Sequence, residues 1–203
     1  MAGSVFSLLG QLADNGHAPS DGCGRFGVGF EDVFDRLERG YLQRRFREGL
    51  SAEKFVVGPF GSGKTHFLRQ FLEIARGNQC VTSEVQLNKS VDFTKRLTVY
   101  REICQEIRMP GGGPRGIEAL FKSIAERMRA DLLDPATGGG LLKSWAAELE
   151  QSDLESHAFG RIARQAMEAL HSDDIILFRA ACRWLGGDVA DRSLATQLGV
   201  GPM

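Results

Sequence analysis

One glycine-rich stretch of this chain carries residues at the spacing that binds phosphate. Gly58, Gly63, Lys64 and Thr65 occupy the fixed positions of the pattern G-x-x-x-x-G-K-[ST]. Glycine lets the backbone approach an anion closely, because it has no Cβ and adopts positive φ without strain. Lys64 would contact the β- and γ-phosphates of a nucleoside triphosphate, and the Thr65 hydroxyl would complete the coordination of Mg²⁺. The pattern therefore predicts a nucleotide-binding loop.

The candidate site extends over nine consecutive residues, with ATP and Mg²⁺ as the expected cofactors and Thr65 as the expected metal ligand. These residues are Gly58, Pro59, Phe60, Gly61, Ser62, Gly63, Lys64, Thr65 and His66. His66 lies one residue past the pattern and could approach the nucleotide, whereas a packing position on a helix is its more ordinary role. The alternative interpretation of the whole stretch is a glycine-rich turn that binds nothing.

The segments that flank the loop predict an α/β fold. Phe55-Val56-Val57 is an aromatic and β-branched run typical of a buried strand, and Thr65 to Ala75 has the pattern of a helix. A second strand is predicted from Gln79 to Leu87. One helical crossover joins the two, so we expect a parallel sheet. Two strands are fewer than such sheets usually contain, so the sheet would be incomplete in this chain.

Three segments are predicted along the chain. Residues 1–29 form an N-terminal segment and linker, residues 30–110 a nucleotide-binding core, and residues 111–203 a large helical insertion or subdomain. The breaker Pro110-Gly-Gly-Gly-Pro114 marks the second boundary. Apolar residues recur at helical spacing within 117–128, 141–149, 159–170 and 175–185, and we interpret these stripes as helix core. Between Phe30 and Leu42 the pattern predicts two short helices broken near Gly40.

Hydrolysis of ATP would require a second, acidic element, which is an apolar strand that ends in Asp or Asp-Glu. Ile175-Ile-Leu-Phe178 is apolar but is followed by Arg179, and Leu132-Leu133-Asp134 is short and is followed by Pro135. The sequence thus predicts ATP binding. An ATPase activity is expected only if the acid comes from a missing C-terminal part or from another subunit. We expect the chain to be part of a longer protein.

Composition limits the other functions. The net charge of −1 does not indicate a general nucleic-acid binder, so any DNA contact requires a local patch. One candidate patch is a basic cluster before the loop, in which acidic residues are interleaved. Its members are Arg36, Arg39, Arg44, Arg45 and Arg47. The cluster could contact DNA phosphates or a neighbouring subunit's nucleotide, but interleaved charges usually form a solvated helix face.

The expected location is the cytoplasm. The four cysteines lie far apart and fit neither a zinc site nor a disulfide framework. No apolar run approaches the roughly 18 residues that span a bilayer, so no membrane association is expected.

Several motifs follow the loop in a characteristic order. Gly58-Pro-Phe-Gly-Ser-Gly-Lys-Thr-His-Phe-Leu68 is followed by Val81-Thr-Ser-Glu-Val-Gln-Leu87, by Leu97-Thr-Val-Tyr-Arg-Glu-Ile103 and by the turn at Met109-Pro-Gly. In order and spacing, this series resembles the ATP-binding proteins of the bacteriophage-exclusion (BREX) defence systems, a branch of the AAA+-like P-loop NTPases. The resemblance covers roughly residues 30 to 200.

This resemblance implies an AAA+-like parallel sheet and an ATP-binding module of a phage-defence ATPase. It also implies that the protein acts on or near DNA, either as a homo-oligomer or together with other defence-system subunits. In that family the acidic strand follows the helical insertion, so the chain looks like an amino-terminal portion. Two other interpretations stay open, namely a nucleotide-gated DNA-binding regulator and a non-hydrolysing assembly protein with a structural P-loop. A small-molecule kinase is a weaker option.

Overall fold

A computed structural model describes four long stretches of the chain, residues 21–87, 91–133, 157–188 and 191–200. It also describes Phe6, Gly10, Ala13, Ala18, Pro19, Ser144, Trp145 and Glu148. The chain divides into two compact units, Met1–Thr82 and Ser83–Met203. The three segments proposed from the sequence stay predictions. Most of the apolar stripe at 141–149 lies outside the described residues.

The first unit is helical. It contains a 3₁₀ turn at Cys23–Arg25, helix α1 at Glu31–Leu37, a π-helical segment at Glu38–Arg45 and helix α2 at Lys64–Gly77. The predicted break near Gly40 is wrong, because α1 continues directly into the π-helical segment. The Phe46 N–H donates to the Tyr41 carbonyl across 2.8 Å, which is the five-residue spacing of a π-helix. One glycine weakens a helix without ending it.

The predicted parallel sheet, and with it the α/β, AAA+-like P-loop class, is wrong for the part of the chain that the structure describes. No strand forms there, and an isolated antiparallel bridge joins Arg108 to Arg115. Residues 51–59 run between helices, with Phe55 88% and Val57 91% exposed. An apolar run becomes a strand only when a second backbone pairs with it. The composition of such a run cannot provide that partner, so the strand was overpredicted.

The second unit is a helical bundle. Its helices are α3 at Arg96–Gln105, α4 at Ile117–Leu133, α5 at His157–His171, α6 at Ile175–Leu185 and α7 at Arg192–Gln197. The apolar stripes predicted within 117–128, 159–170 and 175–185 each supply buried core residues, although Ile175 and Ile176 are exposed. The fully buried side chains of this core include Ile162, Phe178 and Leu185. Burial of each such side chain stabilises the fold by about 1.5–3 kcal/mol.

Helix α3 caps the carboxyl end of α6. The Tyr100 hydroxyl donates to the Leu185 carbonyl across 2.6 Å, and Arg101 Nε donates to the Gly187 carbonyl across 2.9 Å. The last carbonyl groups of a helix lack partners within it, so the Tyr100 bond satisfies a group that α6 leaves open, whereas the Arg101 bond holds the turn that follows α6. The distinctive Tyr-Arg pair of the 97–103 motif therefore has a structural role within this unit.

Among the described residues, no helix combines the length and the apolar character that crossing a membrane requires.

Candidate nucleotide-binding site

The phosphate loop, residues 58–65, enters helix α2 through two glycines in a left-handed conformation. Gly61 has φ of 80° and Gly63, the residue before the first helical turn, has φ of 81°. Side chains with a Cβ are disfavoured there by about 1–2 kcal/mol. Glycine is therefore favoured at these two positions because of their positive φ, and its lack of a side chain also leaves the loop accessible to an anion.

The N–H groups of the first turn of α2 are free of intrachain partners in the part of the chain that the structure describes. The first bond within the helix runs from the Phe67 N–H to the Gly63 carbonyl across 2.9 Å, and no side chain caps this end. The N–H groups of Lys64, Thr65 and His66 therefore have no acceptor inside the helix. Together with the helix dipole they favour a bound anion.

The Lys64 ammonium group lies within the loop that precedes it. Its Nζ donates to the Gly58 carbonyl across 2.9 Å and to the Pro59 carbonyl across 2.7 Å. The Ser62 N–H donates to the same Pro59 carbonyl across 3.3 Å. A lysine ammonium has three donors, so one remains after these two bonds. The structure thus places the positive charge of Lys64 at the carbonyl groups of the first two loop residues.

The remaining predicted residues differ in their surroundings. Thr65 and Phe60 are exposed, Phe60 completely so. The Nε2 atom of His66 is buried and has no hydrogen-bond partner among the described residues. The structure therefore brings Gly58, Pro59 and Lys64 into direct contact, while Phe60 stands apart from them.

The side chains of the loop could hold Mg²⁺ only together with a bound nucleotide, because they include too few metal ligands to hold the ion alone. Within the described stretches, no group of three or more His, Cys, Asp or Glu side chains could hold a metal. Mg²⁺ commonly takes most of its ligands from phosphates and water. The Thr65 hydroxyl is exposed and would be the chain's own ligand in such an arrangement.

Aromatic rings position the start of α2 against α1. Phe67 stacks on Phe34 at a centroid distance of 4.7 Å and meets Phe30 edge-on at 5.5 Å. Aromatic pairs of this kind add about 0.5–1.5 kcal/mol beyond their buried area. Phe67 lies only three residues after Lys64, so this cluster holds the turn of α2 that carries the phosphate loop.

Sequence reasoning missed a segment that lies along α2. Residues 21–27, here called the strap, belong to the stretch interpreted as a linker. Glu73 accepts hydrogen bonds from the Cys23 and Gly24 N–H groups at 2.8 and 3.0 Å, and Arg76 pairs with Asp21 at 2.9 Å. The signal was present in the sequence, since long polar side chains recur three residues apart at Gln70, Glu73 and Arg76.

Neither candidate for the acidic strand has the required structure. Ile175 to Leu185 is the helix α6, and the Asp174 carboxylate caps it by accepting from the Leu177 N–H across 3.0 Å. Leu132 and Leu133 end the helix α4, and Asp134 lies outside the described residues. These two segments therefore supply no acid-tipped strand.

The basic cluster around α1 is largely paired with its own neighbours. Arg39 contacts Asp35 at 3.0 Å and Arg44 contacts Glu48 at 3.7 Å, and all four side chains are exposed. Arg36 Nε donates to the Asp32 carbonyl across 3.1 Å. This pattern supports the interpretation as a solvated, salt-bridged helix face over that of an open phosphate-binding patch.

Comparison with known proteins identifies the family. A search of curated proteins and a search of solved structures each found no match. The family model described as BREX system ATP-binding protein BrxC/D matches residues 7–201, which is nearly the whole chain. The resemblance seen in the sequence motifs is thereby confirmed, and with it an ATP-binding role in BREX phage defence. The chain belongs to the BREX system ATP-binding protein BrxC/D family.

Proposed function

We propose that this protein binds ATP as its Mg²⁺ complex through residues 58–65, acting as a Walker A loop within a BREX defence assembly. The observation that carries the proposal is the position of Lys64, whose ammonium group lies at the Gly58 and Pro59 carbonyls of a loop that leads into the uncapped start of α2. A lysine charge and convergent N–H donors are the two features that bind the phosphates of a nucleotide.

The residues of the loop have separate roles in this proposal. Lys64 contacts the β- and γ-phosphates with the donor that the loop carbonyls leave available. The N–H groups of Lys64 and Thr65 hold a phosphate oxygen at the helix end. The Thr65 hydroxyl holds Mg²⁺ together with phosphate oxygens. His66 supports the site from the first turn of α2, and its Nε2 is the one buried side-chain polar atom without a partner in the described stretches.

Hydrolysis, where it occurs, uses an acid from outside the described residues. Asp174 is occupied as the cap of α6 and does not end a strand. An acidic group from another subunit, or from a part of the protein beyond these residues, would polarise the attacking water. By itself the loop supports binding and not cleavage.

Assembly with further copies of the chain or with other defence subunits is part of the same proposal. Phe55, Val57 and Phe60 are exposed in and directly before the phosphate loop. Large apolar side chains exposed close together in the sequence are typical of a contact with another protein. Formation of an oligomer on ATP addition, measured by light scattering, would support this part, and an unchanged molecular mass at saturating ATP would count against it.

Contact with DNA is the least supported part, because Arg39 and Arg44 of the basic cluster pair with acidic neighbours and Arg36 donates to a backbone carbonyl. Binding through phosphates weakens steeply as salt rises. A DNA affinity that neither depends on ATP nor falls with salt would remove DNA from the proposal and also exclude a nucleotide-gated DNA-binding regulator.

Calorimetry with Mg-ATP tests the central claim. We expect binding by the wild-type protein and a loss of about tenfold or more in affinity for Lys64→Ala, because a charge-assisted contact with the phosphates is removed. Lys95→Ala is the matched control, since the Lys95 side chain is 72% exposed and its pair with Asp92 at 3.6 Å is a surface pair. Equal affinity of Lys64→Ala and wild type would refute the assignment of the loop.

A further inference from the structure

The strap and the phosphate loop are attached to opposite ends of one helix. Helix α2 spans 14 residues, with the loop before its first turn and the strap anchors Glu73 and Arg76 in its last two turns. Lys64 and Glu73 are nine residues apart, which is about 13 Å along a helix. Both attachments therefore depend on the same short rigid element.

The strap is firmly docked on this helix. Cys23 is completely buried, and its Sγ donates to the Pro19 carbonyl across 3.1 Å. The Arg76 side chain, 12% exposed, pairs with Asp21 and also donates to Thr82 Oγ1 across 3.3 Å. Gln70 lies against Gly27 so closely that a Cβ there would sit 1.9 Å from Gln70 Oε1.

The Glu73 carboxylate is suited to this contact in a way that an amide is not. Each of its two oxygens accepts one N–H group, Oε1 from Cys23 and Oε2 from Gly24. A glutamine keeps the size of the side chain but offers one acceptor oxygen, and its NH₂ group would then face an N–H donor. Glu73→Gln should therefore release the strap with little change in volume.

The chain that continues from the strap reaches the first turn of α2. Three residues after the strap comes Phe30, whose ring packs on Phe67 near the phosphate loop. The strap and its continuation thus touch α2 at both ends. A change in the position of the strap can therefore alter the turn that presents the free N–H groups.

We propose that the strap and the phosphate loop are coupled through α2, so that ATP binding tightens the strap and strap docking strengthens ATP binding. Glu73 acts as a positioning residue for the nucleotide site. This inference rests on the proposed function of the loop. Coupling between two sites is reciprocal, so the same factor must appear in both directions.

Amide hydrogen exchange measured by NMR on the whole chain tests the first direction. We expect saturating Mg-ATP to slow exchange of the Cys23 and Gly24 amides by about fivefold or more, the lower range of ordinary coupling factors. A strap that served only as scaffold would show no dependence on ATP. Unchanged exchange in an ATP-saturated wild-type protein would overturn the inference.

Calorimetry on Glu73→Gln tests the reverse direction. The variant should bind Mg-ATP about fivefold more weakly or worse, while Glu48→Gln, an identical charge change at an exposed pair with Arg44, should bind as wild type. Circular dichroism checks that both variants remain helical. Faster strap exchange in Glu73→Gln together with wild-type affinity would overturn the coupling.

A third measurement needs no nucleotide and separates this inference from the proposed function. Without ATP, Glu73→Gln should accelerate exchange of the Phe67 amide, which bonds to Gly63 at the loop. If wild type and Lys64→Ala bind ATP equally, the proposed function fails. The exchange rate of the Phe67 amide still decides whether the strap and the phosphate loop are coupled. An unaltered exchange rate of the Phe67 amide in Glu73→Gln would show that the strap and the loop are not coupled.

Discussion

The Lys64 ammonium group donates a hydrogen bond to the Pro59 carbonyl across 2.7 Å, within the loop that it is expected to serve. With its second bond to Gly58, the lysine closes the loop on itself as well as supplying positive charge. The loop is thus shaped by the same side chain that would contact the phosphates. Any change at this position acts on both the shape and the charge of the site.

Lys64→Arg is expected to weaken ATP binding although the positive charge is kept. A guanidinium is planar and larger than an ammonium, so it cannot occupy the same point between two carbonyl groups. We expect a loss of about tenfold in affinity, measured by calorimetry with Mg-ATP. Lys95→Arg is the control. Wild-type affinity in Lys64→Arg would show that charge alone determines the contact.

Gly63→Ala is expected to reduce ATP affinity more than it reduces stability. At φ of 81° an alanine costs about 1 kcal/mol, and its Cβ would project where an anion approaches the helix end. Gly49→Ala is the matched control, because Gly49 has φ of 72° and also has open space around it. We expect both variants to lose similar amounts of thermal stability. Only Gly63→Ala should bind ATP more weakly. Equal ATP affinities would contradict the role of Gly63.

Most helices could be predicted from the sequence, whereas the predicted sheet was wrong and the nucleotide-binding role of the loop stays a prediction. Thr65 to Ala75 lies within α2, and Ile175–Leu185 was bounded correctly, because helical spacing reports a local property of the backbone. Phe55-Val56-Val57 has the composition of a strand, but pairing depends on another segment that composition does not specify. The strap was missed for the same reason, since Glu73 contacts residues 50 positions away.

Gly187→Ala is expected to destabilise the second unit more than Gly199→Ala. Both glycines follow a helix at positive φ, 104° and 63°, so both variants carry backbone strain. A Cβ at Gly187 would lie 2.6 Å from Arg101 Cγ, whereas none of the described atoms lies within 4 Å at Gly199. Displacement of Arg101 should cost about 1–3 kcal/mol beyond the shared strain, as overpacking does. Urea unfolding measures the difference, and equal midpoints for the two variants would contradict the contact.

The buried thiols of Cys104 and Cys182 are expected to resist alkylation in the native protein. Burial raises the pKa of Cys104 and, with a contribution from Glu118, raises the pKa of Cys182 to about 12. The thiolate is the reactive form, so at mildly alkaline pH both thiols are almost entirely protonated. Mass spectrometry after treatment with iodoacetamide should show label on the partly exposed Cys80 first. All sites should react after unfolding, and early label on Cys182 in the native protein would contradict its burial.

Asp191 is expected to make the second unit sensitive to acid. Its carboxylate accepts from the Leu194 and Ser193 N–H groups at the start of α7, at 3.1 and 3.0 Å. These bonds, with that to Leu194 the larger influence, hold the pKa of Asp191 below its ordinary value of 3.8. A lowered pKa in the folded state contributes stability at pH values above 3.8, and this contribution disappears as pH falls through the folded-state pKa.

The comparison that isolates this effect is Asp191→Asn, because asparagine also caps helices but does not titrate. Melting temperatures of wild type and variant should differ by a constant amount at about pH 5–7, with wild type the more stable. Below about pH 4 the difference should shrink, since the wild-type carboxylate takes up a proton and loses its charge-assisted bonds. Carboxylates that share no partner with Asp191 titrate equally in both proteins, so their contribution cancels, whereas Asp188 contacts the same Arg183 at 3.3 Å and is compared separately as Asp188→Asn. A difference that stayed constant down to about pH 2 would show that the Asp191 carboxylate contributes no more to α7 than a neutral cap does.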